Sequence, residues 1–259
     1  MKIGLLDSGI GGLTVLQQAL AALPEVEYLY YADTDHVPYG TKTKEEIIRY
    51  VDEAVVFLIR QGVKAIVIAC NTATIVAIEY IRGKYDIPVL GMEPAVKLAM
   101  DMLPQKRVMI MATPLSIKED KLHNLISRVD VDHRVDLLPM PGLVVLAEAG
   151  RFDTEEVKDY LIHELTPYNL YDYSTLVLGC THFNYFKDTL RSVFPADVEF
   201  IDGIGGTVNH LKNVLIKEGL TDHRVSGIQY FISGRPVTGK DQIAFFKGLL
   251  KRSEQMLLY

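Results

Sequence analysis

Two stretches of the chain share one hydrophobic pattern. Lys64–Thr74 (KAIVIACNTAT) and Ser174–Asn184 (STLVLGCTHFN) each run four or five apolar, mostly β-branched or leucine residues straight into a cysteine. A small polar cluster follows, and then a helix-like segment begins. The apolar runs do not alternate with polar residues, so they predict strands buried on both faces. Each cysteine then falls at the carboxyl end of a central strand. Open α/β sheets bind ligands at that edge, where the backbone amides opening the next helix point.

Similar runs punctuate the rest of the chain. Residues 2–8 (KIGLLDS) predict a strand ending at Asp7 and Ser8, followed by a glycine-rich turn and a helix from Thr14 to Leu23, stopped by Pro24. Residues 27–33 predict a second strand. A loop punctuated by Pro38 and Gly40 leads to a capping box, Thr43 with Glu46, that opens an amphipathic helix to about Gln61. After Cys70 come a helix from about Thr74 to Lys84, a short strand at Pro88–Gly91 and a helix opening near Pro94. The second half repeats the alternation: strand Arg107–Ala112 ending at Thr113, a helix over 117–129, strand Val135–Pro139, helix Glu156–Leu165, the Cys180 strand, helix Tyr185–Val193 and strand Val198–Ile201. Between them, PGLVVLAEAGRF places the acidic Glu148 just before Gly150. A helix to Lys217, a strand at Gly227–Ser233 and a terminal helix from Lys240 are expected to pack back on the first half.

This alternation predicts α/β architecture: two similar doubly wound domains with mostly parallel central sheets, related by a pseudo-twofold, with a cleft between them. The expected division is residues 1–96 with 207–259, and residues 97–206.

Composition narrows the function classes. The chain has 259 residues, 49% apolar and 23% charged, which supports a globular core. A net charge of -6 with no basic run argues against an extended nucleic-acid footprint. No apolar run approaches the ~20 residues of a membrane helix. Asp7 interrupts the first apolar segment and spoils a secretory core, so the expected location is the cytoplasm. In that reducing compartment the chain's two cysteines are expected as free thiols.

The candidate chemistry follows from the strand ends. Gly9 and Gly11 supply half of a dinucleotide fingerprint, but Thr14 stands at its third glycine, so a nicotinamide cofactor is not expected. A buried cysteine often only fills space. Here both cysteines precede hydrogen-bonding residues, Asn71–Thr72 and Thr181–His182, beside predicted helix N-termini. Such positions lower a thiol from its free value of ~8.5. A disulfide switch commonly uses CxxC, which is absent. A zinc site from Cys70, Cys180 and His182 lacks a second ligand pair of finger type, and no metal is expected. Acid–base work on carbon remains: two thiols on opposite faces of a flat carbanion can remove a proton on one side and return one on the other. For an amino acid, the hydroxyls of Ser8, Thr72 and Thr181 and the amide of Asn71 suit carboxylate oxygens. Asp7 and Glu148 suit the ammonium group or thiol protonation, and His182 can polarise its neighbouring thiol. Tyr39 sits in a loop from which it can contact a ligand or simply pack. A pyridoxal phosphate lysine has no local signature, and that cofactor stays open on the residues alone.

Four motifs in register, DSGIGGLTV near the start, VPYG at Val37–Gly40, ACNTAT at Ala69–Thr74 and GCTHF at Gly179–Phe183, together resemble the glutamate racemases of the aspartate/glutamate racemase superfamily. The resemblance spans essentially the whole chain. It implies cofactor-independent interconversion of L- and D-glutamate for peptidoglycan synthesis, in a cleft between two α/β domains. It implies Cys70 and Cys180 as catalytic thiols, assisted by Asp7, Glu148 and His182. Ser8, Tyr39, Gly40, Asn71, Thr72, Thr74, Thr113 and Thr181 are the implied substrate contacts. Ser116 stands where the family pattern has a threonine, and MPGLVVLAEAG replaces the more usual CPLFVPLVEEG. The alternatives are a racemase of aspartate or another acidic amino acid, and a non-catalytic ligand-binding protein. The oligomeric state, a homodimer included, is left open.

Overall fold

The computed structural model describes residues 1–92, 95–102, 106–220 and 226–259. Its strands form two sheets. In the first, β1 (Lys2–Asp7), β2 (Glu27–Ala32), β3 (Ala65–Ile68) and β4 (Val89–Gly91) are joined by β9 (Gly227–Ile232) and β10 (Arg235–Pro236), in the order β10-β9-β2-β1-β3-β4. In the second, β5 (Arg107–Ala112), β6 (Val135–Pro139), β7 (Tyr173–Leu178) and β8 (Glu199–Ile201) run in the order β6-β5-β7-β8. All pairings are parallel except β9 with β10. The order β2-β1-β3-β4 is thus matched by β6-β5-β7-β8. Cys70 after β3 and Cys180 after β7 occupy equivalent places in the two. As expected, the C-terminal strand returns to the first sheet, where β9 pairs with β2 along its length.

Every residue of β3 and β7 is buried, which is what their unbroken apolar runs require of strands covered on both faces. One core cluster holds Leu5, Tyr30 and Val67 of the first sheet together with Met109, Leu176 and Leu178 of the second. Separate clusters cover the other faces: α2 (Lys44–Arg60) and α3 (Asn71–Lys84) against the first sheet, α4 (Val96–Met102) and α6 (Asp120–Val129) against the second. The shared core brings the carboxyl edges of the two sheets to one place.

Several boundaries differ from the sequence pattern. α3 begins at Asn71 rather than near Thr74, because Cys70 itself caps it: the sulfur accepts the Ala73 amide at 3.4 Å. The segment 117–129 is two helices, α5 (Pro114–Lys118) and α6. Thr113 caps the first, with Pro114 in its opening turn. α7 (Pro141–Glu148) carries no periodic signal, because PGLVVLAE is apolar on nearly every side. After Cys180 comes a 3₁₀ stretch, Thr181–Phe186, and regular helix starts only with α9 (Lys187–Val193). The capping box of Thr43 and Glu46 forms with both reciprocal bonds. Pro94 lies outside the described residues. Among the described residues no helix is long and apolar enough to cross a membrane.

Candidate active site

The first arm of the site leaves β1. Asp7 is buried, and its carboxylate accepts the Gly9 amide at 2.9 Å and the Thr181 hydroxyl at 3.2 Å. The Ser8 hydroxyl donates to Cys70 Sγ at 3.6 Å, beside the Ala73 amide. The glycines here answer to close approach as well as to the turn. A Cβ on Gly11 would sit 2.5 Å from both His182 Nδ1 and Thr181 Oγ1. Burial pushes the Cys70 thiol up to about 12, helped by the negative charge of Asp7, and the Ala73 and Ser8 donors do not offset it. This reverses the expectation of a thiol lowered by its helix N-terminus. The helix is there, but desolvation outweighs it.

The second arm leaves β7. With no α-helix opening after it, Cys180 has a different partner: its sulfur lies 3.7 Å from His182 Nδ1. His182 Nε2 in turn lies 2.6 Å from Glu148 Oε1, which also accepts the Ile10 amide at 2.8 Å. Burial disfavours charge on His182, yet its contacts with Cys180 and Glu148 prevail and hold the imidazole well above its ordinary range. A protonated ring donates from both nitrogens, one to sulfur and one to carboxylate. Asp7 is raised by desolvation, against the opposing pull of the His182 charge and the Gly9 amide.

Between the arms lies a small cavity lined by Ser8, Pro38, Tyr39, Gly40, Cys70, Thr72, Thr113, Val144, Cys180 and His182. Eight of the thirteen residues singled out from sequence line it. Asp7 and Glu148 stand behind the lining, and Thr181 spends its hydroxyl on Asp7. Asn71 is buried in the first turn of α3 and does not line the cavity. Thr74 faces elsewhere: its hydroxyl donates to Ile68 O at 3.0 Å and accepts the Met92 amide at 2.9 Å, tying the exits of β3 and β4 together. Tyr39 commits its hydroxyl to Asp33 at 2.6 Å.

Thr72, Thr113 and Ser116 form a buried hydroxyl cluster, with oxygens 2.9–3.2 Å apart, joining α3 to α5. Among the residues not picked out as contacts, Pro38 was within reach of the VPYG motif and Ser116 of its departure from pattern. Val144, an apolar residue in an apolar helix, carries no local signal. Among the described residues no group of three or more His, Cys, Asp and Glu side chains is placed to hold a metal ion.

Comparisons with known proteins show the family. A family model described as Asp/Glu/Hydantoin racemase matches residues 9–211. A glutamate racemase of Lachnospira eligens is 48% identical over 262 residues, covering 99% of each chain. The crystal structure of a Francisella tularensis glutamate racemase in complex with D-glutamate matches with a TM-score of 0.80 at 27% identity, covering 96% of this chain and 93% of that one. The glutamate racemase of Thermus thermophilus, in complex with β-chloro-D-alanine, matches with a TM-score of 0.77 at 32% identity, covering 97% and 92%. This chain belongs to the aspartate/glutamate racemase superfamily, in its glutamate racemase family.

Proposed function

We propose that this chain interconverts L- and D-glutamate by proton transfer at the α-carbon between Cys70 and Cys180, without a cofactor. The observation that carries the reading is that both cysteines line one small cavity, each from the carboxyl edge of a different sheet. A substrate held there has one thiol on either face. The thiolate on one side takes the α-proton: the C–H bond breaks, an S–H bond forms, and the electron pair stays on the α-carbon, delocalised into the carboxylate. The thiol opposite then gives up its proton to carbon, which inverts the centre and leaves the two sulfurs with exchanged protonation states.

The environments suit this division. Burial keeps Cys70 as a thiol, while His182, between Glu148 and the Cys180 sulfur, holds its proton well above the ordinary imidazole range. The two sulfurs thus stand in unlike surroundings, and the direction of turnover swaps their roles. Asp7, close enough to Cys70 to bear on its charge, is the matching assistant when the roles reverse. Ser8, Tyr39, Gly40, Thr72 and Thr113 line the space left for the substrate, and Thr181 holds Asp7 behind it. Residues 1–96 with 207–259 make one lobe of this reading and 97–206 the other. A cytoplasmic supply of D-glutamate for peptidoglycan is the role that goes with it, and a homodimer is its natural assembly to test by sedimentation.

The experiment is incorporation of solvent deuterium at the α-carbon of glutamate and aspartate in parallel, with no cofactor added and the pure protein scanned for cofactor absorbance. Exchange with both glutamate enantiomers is expected. Faster exchange with aspartate would reassign the substrate. Binding of glutamate without exchange would mark a ligand-binding protein.

A further inference from the structure

One chain of contacts reaches the second thiol from the C-terminal helix, α11 (Lys240–Gln255). Arg252, mostly buried, donates from Nε and Nη2 to the Tyr185 carbonyl at 3.0 and 2.8 Å. Nη2 also meets both oxygens of Asp188 at 3.1 and 3.0 Å, and the guanidinium lies 4.7 Å from the centre of the Phe152 ring. Tyr185 belongs to the 3₁₀ stretch that carries Thr181 and His182. Its hydroxyl, fully buried, donates to Ile10 O at 3.0 Å. The Ile10 amide then holds Glu148, and Glu148 holds His182 beside Cys180.

A six-residue 3₁₀ segment is longer than is usual, because its hydrogen bonds are poorly aligned, so it needs support from outside. The planar fork of an arginine, fixed at once on a carbonyl, a carboxylate and a ring, supplies that support. We infer that Arg252 is a positioning residue for the second thiol, acting through Tyr185 on the Ile10–Glu148–His182 circuit. This rests on the reading in which Cys180 exchanges a proton with substrate. The first sulfur is held by other groups, Ser8 and the first turn of α3, and meets the 3₁₀ stretch only indirectly, through the Thr181–Asp7 bond, so damage at Arg252 is expected to fall more heavily on the Cys180 face than on the Cys70 face.

The test compares Arg252→Lys, which keeps the charge and loses the fork, with Tyr185→Phe, which removes only the hydroxyl. Rates are measured with protiated and α-deuterated L- and D-glutamate. His182→Asn sets the sense, raising the isotope effect for the enantiomer deprotonated on the Cys180 side and lowering it for the other. Both variants are expected to lower kcat by roughly 10- to 100-fold, the scale on which small misplacements act, and to skew the two isotope effects in the same sense as His182→Asn. Isotope effects equal to those of the unaltered protein, or skewed the opposite way, overturn the inference whatever happens to Tm. If Arg252→Lys does not fold, Tyr185→Phe carries the test alone. Cys70→Ser and Cys180→Ser serve as controls: full activity in either would sink the two-thiol reading itself, independently of Arg252.

Discussion

His182 Nε2 lies 2.6 Å from Glu148 Oε1, with the imidazole almost wholly buried. Glu148→Gln keeps the shape of this contact and removes its charge. His182 then holds its proton less tightly, and since the imidazolium exists only below its pKa, the alkaline limb of the kcat/KM profile is expected to move to lower pH. The loss in kcat is expected at about 10- to 100-fold, at or below the range of a general acid–base group itself. The same proton affects stability. A group raised in the folded state contributes fully below its unfolded value of about 6.5 and loses that contribution as pH rises through the folded value. The variant's deficit in Tm is therefore expected to be larger near about pH 6 than well above the folded value.

Cys70 is pushed up to about 12 while His182 stands beside Cys180. The two thiols are thus unequal before substrate binds. Cys70→Ser and Cys180→Ser are each expected to cut turnover by at least about 10²-fold, and to impair solvent-deuterium exchange with one enantiomer more than with the other, in opposite senses. Equal loss for both enantiomers in each variant would argue against one thiol per face.

Asp7 carries a cost in stability. Its carboxyl is raised by burial, so above the folded pKa the protein holds a charge that the unfolded chain would solvate better. The sign is opposite to that of an ordinary salt-bridged aspartate: the penalty is absent below the unfolded value of about 3.9 and complete above the folded one. Asp7→Asn can keep both contacts, accepting from the Gly9 amide and donating to Thr181 Oγ1. It is expected to raise Tm at neutral pH while lowering kcat, with the gain in Tm vanishing on acidification. A fall in Tm at neutral pH would mean that the Gly9 and Thr181 bonds depend on the charge.

Gly11 admits no side chain where His182 and Thr181 pass. Gly11→Ala places a methyl 2.5 Å from each of them, and the buried ring has little room to retreat. Overpacking of this kind costs about 1–3 kcal/mol. Because the ring displaced is His182, activity is expected to fall further than stability, as compared by kcat/KM and chemical denaturation.

Much of this was legible in the sequence because it is local. Unbroken apolar runs ending at Asp7, Cys70, Thr113 and Cys180 marked the strands and the edge at which they end, and the Thr43–Glu46 capping box marked α2. Contacts across long separations left no such trace. Ile10 meets Glu148 across 138 positions and Thr181 meets Asp7 across 174. The helix carrying Glu148 hides in an all-apolar run, and the 3₁₀ stretch after Cys180 reads like an ordinary helix start. Those gaps are also why a lowered Cys70 was expected: its helix N-terminus is visible in sequence, whereas burial and the Asp7 charge are not.

Thr74 separates motif from geometry. It belongs to the ACNTAT stretch and so reads as a substrate contact, yet its hydroxyl bonds Ile68 O and the Met92 amide, outside the cavity lining. Thr74→Val keeps the shape and removes both hydroxyl bonds, leaving the Met92 amide and Ile68 O only the 3.2 Å bond they make to each other, and each lost hydrogen bond costs about 0.5–1.5 kcal/mol. Relative to Thr72→Val, whose hydroxyl belongs to the cavity-lining cluster, Thr74→Val is expected to lose more stability and less affinity for glutamate. Denaturation midpoints and KM for the two variants, measured side by side, decide it. A KM rise for Thr74→Val as large as that for Thr72→Val, with stability unchanged, would return Thr74 to the substrate site.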